Sequence, residues 1–140
     1  MADVNPPTDT TQAIAASALR AQQERMRLIA ENLANADSTA KTPGGDPYRR
    51  ETPIFETKMI EQGIKGVQMK RVGHDQTPFK QEYQPGNPAA DPKGYVKVPN
   101  VDPLIESLDM REAQRAYEAN LSVIETSRAI LSSTIDLLKK

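Results

Sequence analysis

Apolar residues near both ends of the chain recur at alternating steps of four and three, the spacing of a helix with one narrow apolar stripe. The N-terminal stripe consists of Ala15, Leu19, Met26, Ile29 and Leu33, with Gln22 as a polar member. The C-terminal stripe consists of Met110, Tyr117, Leu121, Ile124, Leu131, Ile135 and Leu138, with Gln114 and Arg128 as polar members. Two apolar positions in seven form the seam of a helix that pairs with another helix, so the pattern predicts two long paired helices.

Helix breakers lie between these two stripes. All seven glycines fall between Gly44 and Gly94, and all eleven prolines fall at or before Pro103. Neither residue type occurs in 8–42 or in 104–140. Glycine and proline are the residues that most disfavour a helix interior, so neither predicted helix is interrupted.

Capping residues predict where each helix begins and ends. Asp9, with a glutamine three residues later, is an acceptable N-cap for the first helix, whose pattern ends at Asn35–Ser38. Asp102 and Pro103 start the second helix as N-cap and first helical residue. This helix is predicted to end near Leu138 and to be about 50 Å long, so it needs a partner along its length.

The middle of the chain has the pattern of strands and turns. Short β-favouring stretches occupy Thr52–Thr57 and Gly66–Val72, and turn residues fill Gln84–Pro88 and Asp91–Pro92. We expect these strands to surround a small aromatic cluster of Tyr48, Phe55, Phe79, Tyr83 and Tyr95.

These patterns predict a mainly α fold, in which long N- and C-terminal helices pair as a coiled coil beside a small irregular, β-containing middle segment. The predicted divisions are an N-terminal helical arm over 1–37, a middle segment over 38–102 and a C-terminal helix over 103–140, with both arms in one helical domain. Periodicity alone fits an ordinary helical hairpin as well as a multi-helix assembly. Alanines on several faces of the first helix favour the assembly modestly.

Composition narrows the possible functions. With two Phe, four Tyr and no Trp in 140 residues, the chain has little of the large apolar surface that builds a self-sufficient core. Its 18 basic and 19 acidic residues are mixed along the chain, which disfavours nucleic acid and anionic membranes as partners. No stretch reaches the roughly 20 apolar residues that span a bilayer. The polar segment Met1–Thr11 lacks the features of a cleaved secretory signal.

Candidate catalytic and metal-binding residues are few. His74 is the only histidine and cysteine is absent, so neither a histidine relay nor a zinc site of familiar composition can be built. Glu61, Asp75 and Glu82 have polar flanks and are expected to be solvated. The glycines lack the lysine and hydroxyl residue of a phosphate-binding loop. We therefore predict no enzyme activity, no catalytic residues, no cofactor and no metal.

Three segments resemble a known protein family. Residues 32–38, Asn-Leu-Ala-Asn-Ala-Asp-Ser, resemble the Asn-Leu-Ala-Asn motif near the N-terminus of flagellar rod and hook proteins. Residues 83–102, which begin Tyr-Gln-Pro-Gly-Asn-Pro, are similar to the stretch that marks the proximal rod subunit of that family. Residues 115–121, Arg-Ala-Tyr-Glu-Ala-Asn-Leu, are similar to its C-terminal helix motif. The chain is thereby identified as a member of the flagellar axial rod and hook family.

The resemblance implies a structural subunit of the proximal rod in the bacterial flagellar basal body, which serves motility. Such subunits polymerise through their terminal helices into the tubular drive shaft and export channel, as open head-to-tail contacts allow. They are exported by the flagellar type III apparatus without a cleaved signal and assemble in the periplasm. The implied partners are further copies of the chain, the FlgB, FlgF and FlgG types of rod protein, the FliE type of adaptor and the export apparatus, without nucleic acid or membrane insertion.

The residues predicted to lie at subunit interfaces come from both helices and from the turn segment. They are Leu19, Met26, Ile29, Asn32, Leu33, Asn35, Pro85, Gly86, Asn87, Pro88, Tyr117, Asn120, Leu121, Ile124, Leu131, Ile135 and Leu138. Asn32 and Asn35 also fit helix-capping and turn roles, which are favoured for Asn35. Tyr117 fits core packing, and Asn120 fits a hydrogen bond between helices.

Two other function classes stay open on the residues alone. A soluble coiled-coil adaptor or secretion chaperone would form a stable folded dimer and would not be exported. An enzyme would need an activity that depends on His74 or on a carboxylate of the middle segment.

Overall fold

Two long helices flank four strands in the structure, a computed structural model that describes residues 7–140, with side chains from Asp9 onward. In chain order the elements are α1 (Pro7–Ala34), β1 (Glu51–Glu61), β2 (Ile64–His74), β3 (Lys80–Tyr83), β4 (Tyr95–Val98) and α2 (Pro103–Leu138). The start of the predicted N-terminal arm, residues 1–6, lies outside the described residues.

The beginning of α2 is stabilised by its capping residue. Asp102 Oδ1 accepts hydrogen bonds from the backbone N–H of Leu104 at 2.9 Å and of Ile105 at 3.4 Å. These are two of the donors that a helix leaves without an intrahelical partner. The predicted limits of this helix, Pro103 and Leu138, are confirmed.

The prediction of a mainly α fold, with a coiled coil and a small irregular middle segment, is wrong. The middle of the chain forms four strands in two two-stranded antiparallel sheets, so the protein is mixed α/β. β1 and β2 are 11 residues each and are longer than the predicted stretches, because both continue through polar residues at their ends. Water reaches a two-stranded ribbon readily, so polar residues are tolerated there. Gly63, with φ of +83°, provides the tight turn between them.

The second sheet pairs β3 with β4 in a register that places Tyr83 opposite Tyr95. Their rings meet edge to face, with 5.3 Å between centroids. Turns fill the connection between these strands, as predicted for Gln84–Pro88 and Asp91–Pro92. Gly94 ends this connection at φ of +87°, and a β-carbon there would lie 2.8 Å from the ring of Tyr83.

The chain divides into two compact units. Unit 1 comprises the chain up to Arg25, Ile54–Arg71 and Glu112–Lys140. Unit 2 comprises Met26–Pro53 and Val72–Arg111. Each helix contributes one part to unit 1 and another part to unit 2, and the two parts are described separately below.

The two units bury different kinds of side chain. The buried side chains in the described part of unit 1 are small, namely Ala15, Ala21, Ala113 and Ser127. Those of unit 2 include larger and more polar ones, among them Leu28, Ile29, Asn32, Val96 and Glu106. Unit 2 therefore has a core of large side chains with a polar centre, which the described part of unit 1 lacks.

Candidate functional site

The part of α2 in unit 1, Glu112–Lys140, exposes most of its predicted apolar stripe. Tyr117 and Ile124 are half-buried. The exposed members of the stripe are Leu121, Leu131, Ile135 and Leu138. A large apolar side chain gains about 1.5–3 kcal/mol on full burial, so this stripe is a surface that favours association.

A second apolar stripe on the same part of α2 was not predicted. Val123, Ile130 and Leu137 follow one another at seven-residue spacing and are 43%, 57% and 72% exposed. At 3.6 residues per turn they lie roughly 140° around the helix axis from the first stripe. Their strict repeat was the signal available in the sequence. A helix that is apolar on two faces needs neighbours on both faces.

The first turns of α2, in unit 2, carry a further exposed apolar patch. Leu104, Ile105 and Leu108 are all more than half exposed. They lie before Met110, the first residue of the predicted stripe, so the four-three pattern does not include them. Adjacent apolar residues in a first helical turn were the only sequence signal for this patch.

The predicted interface residues of α1 are less accessible than those of α2. Leu19 in unit 1 and both Met26 and Leu33 in unit 2 are half-buried, and Ile29 is buried. Leu28 is also buried, at 1% exposure, although it lies outside the predicted stripe. In unit 2, α1 therefore buries a face wider than two positions in seven.

In unit 1 the β1–β2 hairpin approaches α1 closely. Ser17 Oγ accepts a hydrogen bond from the Val67 N–H at 3.1 Å and donates one to the Ile14 carbonyl at 2.7 Å. Gly66 is buried beside it, and a β-carbon there would overlap Ser17 Oγ and lie 2.5 Å from Ile60 Cδ1. A glycine permits this approach because it has no β-carbon.

An open groove of about 510 Å³ lies beside this approach in unit 1. Its lining includes the small side chains of Ala13 and Ala16 from α1 and the long side chains of Met59 and Met69 from the hairpin. Small residues allow another helix to come close to α1. The groove is therefore a further surface suited to association.

Unit 2 contains a polar cluster centred on Asn32, the first asparagine of the Asn-Leu-Ala-Asn segment. Asn32 is 1% exposed. Its Nδ2 donates to the Glu51 carbonyl at 2.9 Å and to Glu106 Oε2 at 3.2 Å. Its Oδ1 accepts from the Glu51 N–H at 2.9 Å and from the Tyr48 hydroxyl at 2.8 Å. The side chain thus connects α1 with the start of β1 and with α2.

Glu106, fully buried in the first turns of α2, forms an ion pair with Arg50. Arg50 Nε donates to Glu106 Oε1. The same guanidinium lies 3.4 Å from Asp109 Oδ2 and 3.6 Å from Asp75 Oδ2. Neither Arg50 nor Glu106 belongs to the predicted site. A glutamate in a first helical turn is ordinarily solvated and favoured by the helix dipole, so the position of Glu106 in the sequence did not indicate burial.

Asn100 and Arg49 hold the segment after β2 beside the start of β1. Asn100 Oδ1 accepts from the Arg50 N–H at 2.7 Å, and its Nδ2 donates to the Asp75 carbonyl at 3.0 Å. Arg49 Nη1 donates to that carbonyl at 2.9 Å, and its guanidinium lies 4.2 Å from the centre of the Phe79 ring. The contacts form one network with the Arg50 ion pairs.

Two ionisable groups of this network have shifted pKa values. Hydrogen bonds from the Thr77 hydroxyl and N–H, followed by the charges of Arg50 and Arg49, lower the pKa of Asp75. Burial, followed by the charges of nearby carboxylates, raises the pKa of Tyr48 to about 12. Both shifts link the stability of unit 2 to pH.

The other predicted asparagines bond within their own segments. Asn35 Nδ2 donates to the Glu31 carbonyl at 2.8 Å, and Asn120 Nδ2 donates to the Ala116 carbonyl at 2.8 Å. Asn87 Oδ1 accepts from the Ala89 N–H at 2.9 Å within the turn segment. The neighbours of Asn87 in that segment, Pro85, Gly86 and Pro88, are exposed.

Two kinds of feature are absent from the part of the chain that the structure describes, namely a cluster of metal-ligating side chains and a helix that could span a membrane. No group of three or more histidine, cysteine, aspartate or glutamate side chains is arranged there to hold a metal ion. None of the described helices has both the length and the apolar character needed to cross a lipid bilayer.

Two family models match the chain at its two helical ends. Residues 13–40 match the model described as "Flagella basal body rod protein". Residues 93–137 match the model described as "Flagellar basal body rod FlgEFG protein C-terminal". Together these matches include most of α1, its following turn and nearly all of α2.

Curated proteins similar to the chain align over almost its whole length. The flagellar basal-body rod protein FlgC of Agrobacterium fabrum strain C58 is 52% identical over 134 residues, which are 95% of this chain and 96% of the relative. FlgC of Salmonella typhimurium strain LT2 is 43% identical over 89% of this chain and 92% of its own. FlgC of Bacillus subtilis strain 168 is 35% identical over 90% of this chain and 95% of its own.

Proposed function

The chain belongs to the FlgC family of flagellar basal-body rod proteins, and on this premise we propose that it polymerises through its terminal helices into the tubular drive shaft and export channel. It is a structural subunit of the rod in the flagellar basal body, where it assembles with other rod components, and it is not an enzyme. The observation that carries the proposal is the exposure of two apolar stripes along Glu112–Lys140.

The proposal follows from what a tube wall built of packed helices requires. The stripe of Leu121, Leu131 and Ile135 and the stripe of Val123 and Ile130 face different directions. A contact between unlike surfaces of successive subunits produces an open helical filament when its rotation does not close a ring. The two stripes and the groove of unit 1 supply unlike surfaces of this kind.

The finer assignments are also proposals. We propose that the arms 1–37 and 103–140 form one helical domain, which carries most of the assembly contacts, and that the middle segment 38–102 contributes the hairpin side of the groove. Of the remaining predicted interface residues, Leu19, Met26, Leu33 and the turn Pro85–Pro88 would contact neighbours, whereas the buried Asn32 would support the interface from inside the subunit. The partners would be the FlgB, FlgF and FlgG types of rod protein and the FliE type of adaptor, in the periplasm, after type III export without a cleaved signal.

One charge on each stripe tests the proposal. Leu131→Asp and Ile130→Asp, each introduced into a strain that lacks the wild-type protein, should abolish swimming while the subunit is still exported. Ser132→Asp is the matched control, since Ser132 is the exposed residue that follows them in sequence and lies toward the polar face that carries Glu125 and Asp136. It should swim as the wild type does.

The proposal fails if either stripe variant assembles normal rods. A folded dimer that stays in the cytoplasm would instead favour the adaptor or chaperone, in which the stripes pair with one another in solution. Analytical ultracentrifugation of the purified protein separates these outcomes, because a rod subunit should be monomeric at concentrations at which the adaptor is dimeric.

A further inference from the structure

The carboxamide of Asn32 has no hydrogen-bonding capacity left for another molecule. An asparagine side chain offers two N–H donors and an oxygen with two lone pairs. Within the subunit, Glu51 and Glu106 accept from both donors, and Glu51 and Tyr48 donate to the oxygen. The backbone N–H and carbonyl of Glu51 also define which end of the carboxamide is nitrogen, since each can bond to one end only.

The elements that Asn32 connects are distant in sequence. Its bond to Glu51 spans 19 residues and its bond to Glu106 spans 74. Glu106 is held at its other oxygen by Arg50, which also lies 3.4 Å from Asp109, one turn further along α2. Two successive turns of α2 are thereby attached to the end of α1 and to the start of β1.

We infer that Asn32, Tyr48, Arg50, Glu51 and Glu106 form a latch inside each subunit, which keeps 26–34 of α1 and 104–111 of α2 folded in the free protein. The latch makes the Asn-Leu-Ala-Asn segment an internal connector at its first asparagine. It needs no neighbouring subunit, because the four hydrogen bonds of Asn32 are complete within one subunit. Its bearing on assembly rests on the proposed function, in which the exposed part of α2 is completed by neighbours.

Amide hydrogen exchange on the purified full-length monomer tests the latch. In the wild type, peptides from 27–34 and 104–111 should exchange at least tenfold more slowly than peptides from 118–138. Asn32→Ala should accelerate exchange in both latched segments together, by tenfold or more. Asn35→Ala is the matched control, because the Asn35 side chain donates to the Glu31 carbonyl of the preceding helix. It should leave 104–111 unchanged.

Exchange of 104–111 in the wild type at the rate of an unfolded chain would overturn the latch. So would an Asn32→Ala protein whose 104–111 segment exchanges as in Asn35→Ala. If Asn32→Ala does not fold, Tyr48→Phe removes one of the four bonds and should accelerate both latched segments by a smaller common factor; a change confined to one of them would overturn the proposal. Strong protection of 118–138 in the monomer would contradict the assembly-coupled folding of α2 and leave the latch intact, so the two failures are distinguishable.

Discussion

Unit 1 and unit 2 share the same two helices but stabilise them by different means. Unit 2 buries Leu28, Ile29 and Val96 around a hydrogen-bonded polar centre. The described part of unit 1 buries alanine and serine, and it leaves most of the large apolar residues of its part of α2 exposed to water. Because burial of large apolar side chains supplies most folding free energy, unit 2 is equipped to fold within one subunit, and unit 1 gains most from neighbours.

This difference fits a chain that is both exported and assembled, as proposed above. A subunit with large buried surface throughout would resist unfolding before export, whereas a subunit without any would offer no defined surface to the growing rod. Polar contacts in unit 2 specify the positions of α1 and α2 with little apolar surface, since a buried polar group must find its partners. The four predictions below alter one unit at a time.

The largest effect is expected from Arg50→Met in unit 2. It leaves the buried carboxylate of Glu106 without its cation, which costs about 3–5 kcal/mol in comparable buried pairs. Urea unfolding followed by near-ultraviolet tyrosine circular dichroism measures the loss, because Tyr48, Tyr83 and Tyr95 lie in unit 2. Arg115→Met, at an exposed position of unit 1, should have no effect. Combining Arg50→Met with Glu106→Gln, which removes the unpaired charge and keeps an acceptor for Asn32, should restore much of the stability. Failure to do so would assign the loss to packing.

The sequence predicts the helices far better than it predicts the polar centre of unit 2, which includes Arg50 and Glu106. Asp102 and Pro103 predict the start of α2 because capping is a local interaction between adjacent residues. The pair of Arg50 and Glu106 depends on where distant segments meet. A buried glutamate cannot be distinguished from a solvated one by its neighbours in sequence.

The strands were underestimated for a related reason. Polar residues at the ends of β1 and β2 have weak strand preference, and backbone pairing across the hairpin extends the strands past them. For the candidate site, the four-three pattern identified the exposed stripe of Leu131 and Ile135. It did not identify the stripe of Ile130 and Leu137, because a search for one seam assigns only one face to a helix.

In unit 1, Gly66→Ala should impair assembly more than folding of unit 2. The added methyl group would overlap Ser17 Oγ and crowd Ile60, and such overpacking costs about 1–3 kcal/mol. We expect the variant to be under-represented about fivefold to hundredfold against wild type in basal bodies when both are co-expressed. Lys65→Ala is the control, since Lys65 is exposed next to Gly66 in the same hairpin and lies outside the predicted interface. Equal incorporation of both variants would show that the hairpin need not approach α1 in the rod.

Tyr48→Phe should have a smaller effect, confined to unit 2 and dependent on alkaline pH. It removes the hydrogen bond to Asn32, which is worth about 0.5–1.5 kcal/mol. The pKa of Tyr48 is raised to about 12 from its ordinary value of 10.0. The contribution of Tyr48 to the free energy of unfolding is therefore complete below pH 10.0. It is lost as the pH rises from 10.0 to about 12, because the unfolded chain ionises first. Urea unfolding at a series of alkaline pH values should show a shallower decline for Tyr48→Phe than for Tyr83→Phe, whose site is 66% exposed.

The smallest effects are expected when one carboxylate in each unit is replaced and stability is measured at acidic pH. Thr77 lowers the pKa of Asp75 in unit 2, and Gln68 followed by Lys70 lowers that of Glu56 in unit 1. A lowered pKa contributes stability that is complete above the ordinary value, 3.8 for Asp75, and is lost as pH falls through the lowered one. Asp75→Asn should therefore flatten the acid dependence of the urea midpoint of unit 2, whereas Glu56→Gln should leave it unchanged. An equal response to both substitutions would mean that the two units unfold together, and would remove the basis for assigning folding to one and assembly to the other.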